Sequence, residues 1–70
     1  MAAAKKTRVL LVIDRAGGHV ERIPESDGNF AESIVWLSRQ LKCGPGAVLA
    51  RLEAGEELAT CGFVRRMVWE

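Results

Sequence analysis

The side chains able to act on a substrate are few and scattered: His19, Ser33, Ser38, Cys43, Cys61 and the trio Glu53, Glu56 and Glu57. A serine or cysteine nucleophile needs a base within reach, and acid–base work needs two groups held in unlike environments. His19 is the sole histidine and stands in "RAGGHVERI", well before Ser33 and Ser38. Beside a glycine turn, a solvated imidazole is its ordinary state. The glycines of "RAGGH" lack both the Gly-Lys-Ser/Thr ending and the following helix of a phosphate-binding loop, so they read as a hairpin turn. Metal chemistry fares no better, because there is no Cys-x-x-Cys or His-x3-His pair to begin a zinc site. The three glutamates lack the alternating oxygen ligands of a cation loop and read as a solvated face. Cys43 and Cys61 read as small buried hydrophobes of a reducing compartment. The expectation is a chain without catalysis, metal or cofactor.

Binding is what remains, and composition narrows its kind. Ten Lys plus Arg against nine Asp plus Glu leave a formal charge of +1, which gives little long-range attraction to a polyanion. A hydrophobic content of 49% with two Trp argues for a folded chain. A chain of 70 residues has room for one domain, expected over 7–70, behind a disordered N-terminus at 1–6, "MAAAKK". No signal peptide and no apolar run of about 18 residues is present, which places the chain in the cytoplasm and off the membrane.

The elements that must position a binding surface are legible from periodicity. "TRVLLVID" carries a continuous apolar run, Val9 to Ile13, too short for a typical helix and suited to a central strand apolar on both faces. Gly17-Gly18 then supplies a tight turn, and "HVERI" alternates as a second strand that Pro24 ends. In "ESDGNFAESIVWLSRQLKCG", Asn29 and Glu32 form a capping-box pattern, Phe30, Ile34, Leu37 and Leu41 make one stripe, and Gly44 can take the left-handed conformation past the end. Pro45 suits the first position of a second helix with the stripe Val48, Leu49 and Leu52, and Gly55 stops it. "TCGFVRRMVWE" is read as one closing strand, with Phe63, Arg65, Met67 and Trp69 on one face. Pairing of this strand with the first predicts an α+β fold: a three-stranded antiparallel sheet in the order 2-1-3, carrying two helices arranged like a helix-turn-helix.

A hairpin, the helix "NFAESIVWLSRQL", a Gly-Pro corner, the short helix "AVLARLEAG" and the closing "CGFVRRMVW" follow one another in an order that resembles the small modular DNA-binding repeats of phage homing endonucleases. In that family a short strand leads into a helix-turn-helix and a Gly-Phe/Tyr-basic segment closes the module. The resemblance implies DNA binding, with Arg39, Lys42 and Arg51 around the corner and Lys5, Lys6 and Arg8 as an arm. The chain departs from the family where the second helix begins: Pro45, Gly46, Ala47 and Val48 stand in place of polar, base-reading side chains.

The other reading starts from surplus large apolar groups. Two short helices cover one face of a sheet, yet Trp36, Phe63, Met67, Trp69 and the five-residue run all need cover. Trp and Arg are enriched at interface hot spots, and "VRRMVW" gathers Arg65, Arg66 and Trp69. The expectation is therefore a small non-enzymatic regulator that binds a larger protein through Arg65, Arg66, Trp69 and Trp36, in the way of a phage-type inhibitor or modulator of host transcription machinery. A DNA-binding helix-turn-helix regulator is the alternative. The chain is expected as a monomer, or as a homodimer formed through the edge of the closing strand.

Overall fold

A computed structural model describes residues 6–70. Its elements follow in the order β1 (Arg8–Asp14), β2 (Val20–Pro24), α1 (Gly28–Leu41), α2 (Pro45–Glu53), β3 (Leu58–Thr60) and β4 (Phe63–Trp69). The α+β class, the antiparallel sheet and the two helices match expectation. The sheet, however, has four strands in the order β2-β1-β4-β3 and not three in the order 2-1-3. The extra strand arises because "LATCGFVRRMVW" folds back on itself at Cys61-Gly62, where both residues have positive φ, 50° and 80°. That is the geometry of a two-residue hairpin loop, and Thr60 pairs directly with Phe63 across it. A cysteine in the left-handed region is uncommon because its Cβ crowds the backbone, so the residue types gave little warning of a turn. Cys61→Asn, which creates an Asn-Gly turn, is expected to raise stability by about 0.5–1 kcal/mol, read as a higher urea midpoint.

The first hairpin closes as its glycines suggest. Gly18 takes φ 71°, the Asp14 amide donates to the His19 carbonyl at 2.8 Å, and the Ala16 amide donates to Asp14 Oδ1 at 2.9 Å. Helix α1 starts earlier than its capping-box pattern indicates. Asp27, not Asn29, is the N-cap, and its Oδ1 accepts from the Asn29 amide at 2.9 Å. Removing that acceptor in Asp27→Ala is expected to cost about 1 kcal/mol of stability in a denaturant titration. The helix ends at Lys42, which takes the left-handed conformation assigned above to Gly44; Gly44 is instead the extended N-cap of α2. The Lys42 and Cys43 amides both close on the Ser38 carbonyl, satisfying the last turn of α1. Pro45 then opens α2 at the expected place, and Gly55 follows its end with φ 92°.

Strand alternation divides the sheet into two faces. Leu10, Ile23, Leu58 and Met67 turn toward the helices and make the core with Phe30, Ile34, Leu37, Val48 and Leu52. Leu41, Cys43 and Leu49 pack around it. The opposite face carries Val9, Leu11 and Ile13 from β1 and Val64 and Val68 from β4, the second apolar face expected of the central strand. Cys61 does not share the buried setting expected of both cysteines: it is exposed at the hairpin tip, and Cys43 is half-buried.

Candidate protein-docking site

Arg65 lies on the helix side of β4, in register with Val12 of β1 and Leu58 of β3. Its neighbours in that row are apolar, so its guanidinium has to run along the sheet to find partners. It lies 4.7 Å from the centroid of Trp36 on α1 and 5.8 Å from that of Phe63, two residues earlier on the same strand face. Nη1 donates to Thr60 Oγ1 at 2.8 Å. Nε is buried and has no acceptor among the described residues. Arg65 also forms no ion pair among the described residues. Desolvation by burial pushes its pKa below the ordinary arginine value, partly opposed by the electrostatic interaction with Cys61. The result is a half-buried cation, held by aromatic faces and one hydroxyl in place of a carboxylate.

Trp36 takes this position because it flanks the buried stripe of α1. Leu37, its neighbour, is fully buried, whereas Val35 and Trp36 come out of the interface at 40% and 37% exposure. Phe63 is equally open at 37%. Trp36 forms a ridge between two shallow clefts. One, of about 330 Å³, is bordered by Arg65, Glu21, Asn29, Glu32 and Ser33. The other, of about 390 Å³, is mainly apolar and runs along α1 past Ala31, Val35 and Arg39.

Of the four residues expected at a protein interface, the fold brings together only Trp36 and Arg65. Arg66 points to the opposite face of the sheet, 3.9 Å from Glu57. Trp69 shares Arg65's face but lies about 13 Å further along β4, paired with Arg8 and 48% exposed. Phe63, counted above only as surplus apolar surface, completes the cluster. Its signal in the sequence is the i, i+2 spacing to Arg65 on a strand.

The residues expected to meet DNA are less well disposed. Arg39 and Lys42 are exposed at the end of α1, but Arg51 is held by Glu56 at 3.3 Å. Arg8 is no arm: it bridges Glu25 at 2.9 Å and Glu53 at 3.4 Å and covers Phe30. Lys6 is exposed, and Lys5 lies outside the described residues, as does most of the N-terminal stretch expected to be disordered. His19 is exposed beside its turn. Ser38 is buried and donates to the Val35 carbonyl at 2.6 Å, a structural bond. Among the described residues no group of three His, Cys, Asp or Glu is placed to hold a metal ion, and no helix is long and apolar enough to cross a membrane.

No protein-family model, curated protein or solved structure matches the chain.

Proposed function

We propose that this chain is a small non-enzymatic regulatory module that docks onto a larger protein through Trp36, Arg65 and Phe63, as a phage-type inhibitor or modulator of host transcription machinery would. The observation that carries the reading is Arg65 itself. A cation taken partly out of water without a carboxylate is costly, and a partner that supplies an acceptor to Nε relieves that cost while covering two exposed rings. Such a contact is made by a free carbonyl seated in the cleft against Trp36, since Glu21 and Glu32 on its border disfavour an acidic side chain. Trp and Arg at the centre of a patch, rimmed by Asn29, Ser33, Glu21 and Glu32, is the composition of a binding hot spot.

The helix-turn-helix-like corner supports the DNA reading, because Arg39 and Lys42 carry no ion pair among the described residues. Two features weigh against it. Glu21 and Glu32 border the Arg65 cleft and repel phosphate, and α2 opens with Pro45, Gly46 and Ala47, which offer no side-chain hydrogen bonds to base edges. The two readings separate in a capture experiment on nuclease-treated bacterial lysate at low and high salt. A stoichiometric protein retained through both treatments supports docking. Capture lost with nuclease or salt returns the function to DNA.

A further inference from the structure

We propose that the sheet face turned away from the helices is a self-association surface, on which a second copy of this chain stacks about a two-fold axis parallel to the strands. The strand register sets out what this face contains. One row runs Val20, Ile13, Val64 and Ala59 across all four strands, and another runs Val9 and Val68 beside Pro24. Between them lies the row Arg22, Leu11 and Arg66, which Glu57 extends beside Arg66 at 3.9 Å. Arg22 is joined to Glu70 by an ion pair that crosses over Val9. Val9 is thereby buried, and Leu11, Ile13, Val64 and Val68 remain half-buried in the open centre.

This pattern matches itself. A two-fold axis lying between β1 and β4 keeps each row in place and exchanges β1 with β4 and β2 with β3. Ile13 then faces Val64 of the second copy, Val20 faces Ala59, and the Arg22–Glu70 pair over Val9 lies against Val68. In the charged row Arg22 faces Glu57 and Leu11 lies under the stem of Arg66. The outer rows meet apolar side chains or alkyl stems, and in the middle row Arg22 and Glu57, paired within each copy to Glu70 and Arg66, each lie opposite the other sign in the second copy. The face carries two arginines and two glutamates, so it has no net charge to favour a polyanion or a strongly acidic protein. With strands about 4.8 Å apart and residues about 3.3 Å apart, the patch measures roughly 19 by 20 Å, or ~400 Å² a side in projection. That lies at the low end for protein interfaces, so the dimer is weak and forms at micromolar or higher concentration. The stack leaves Trp36, Arg65 and Phe63 on its outer surfaces and is independent of what binds there.

Charge exchange tests the geometry. In Arg22→Glu, both Arg22–Glu57 contacts of a dimer become Glu–Glu; in Glu57→Arg, both become Arg–Arg. Each variant alone is expected to self-associate about tenfold or more weakly than the unmodified chain at low salt. Mixed in equal amounts, the two variants restore both contacts, and the mixture is expected to recover dimer in sedimentation equilibrium. Circular dichroism checks that both variants fold, and Ile13→Lys, also on the open face, is expected to abolish the dimer outright. The proposal is overturned if the unmodified chain stays monomeric up to about 1 mM, where even a weak interface is populated. β4, the closing strand expected to offer an edge for pairing, is itself paired on both sides. The proposal is equally overturned by a dimer indifferent to the exchanges, as one joined edge to edge at β2 or β3 would be, or by a mixture that fails to recover.

Discussion

Trp36→Ala is expected to weaken binding to the protein partner by about 2 kcal/mol or more, roughly thirtyfold, with the fold left intact. The size of the effect follows from what the indole does in two directions at once. It stacks on the Arg65 guanidinium at 4.7 Å, and it forms the wall shared by the two clefts beside α1. Without it Arg65 is more hydrated and keeps only Thr60 and Phe63 as partners, so a partner's acceptor gains less and must order more on arrival. Trp36 is more than one-third exposed, which makes its truncation mild for stability. Arg65→Gln should weaken binding comparably, since it removes the charge and the Nε donor. Titration of the captured partner with each variant gives the comparison, and undiminished affinity in both would remove the stack from the interface.

Leu37→Ala is expected to act on the fold instead, with a loss of about 2–5 kcal/mol. Leu37 is fully buried where α1 meets the rest of the core, with Leu10, Val48 and Leu52 as the other fully enclosed side chains. A chain of this length has only about 3–5 kcal/mol of stability from its single core. The variant should therefore be largely unfolded at room temperature, seen as lost helical circular dichroism and a urea transition displaced toward zero. Val35→Ala, two residues away but exposed, should leave the transition nearly where it was. The contrast separates the face of α1 that holds the molecule together from the face that is free to bind.

Most of this architecture was readable because its signals are local and periodic. The stripe Phe30, Ile34, Leu37 and the pair Val48, Leu52 located both helices and their buried sides. The β-branched run from Val9 correctly marked the central strand, which needs cover on both faces. The fourth strand escaped notice because its turn rests on Cys61, a residue whose backbone rarely adopts φ 50°. The cap of α1 moved to Asp27 because two residues with capping side chains compete within a few positions, and tertiary packing chooses between them. The candidate site was half legible. Alternation put Phe63, Arg65 and Trp69 on one strand face, but it is silent on which helix residue crosses above that face, and the distance along β4 leaves Trp69 outside the cluster. Arg66 alternates to the other side, where Glu57 awaits it.

One capture experiment decides between docking through Trp36 and Arg65 and DNA binding at the helix corner, using three baits. These are the unmodified chain, Trp36→Ala and the double variant Arg39→Ala/Lys42→Ala, each immobilised in nuclease-treated lysate at high salt. The expected result is one stoichiometric protein held by the unmodified chain and the double variant and lost from Trp36→Ala. Retention by Trp36→Ala, or loss only from the double variant, would contradict docking through Trp36 and Arg65.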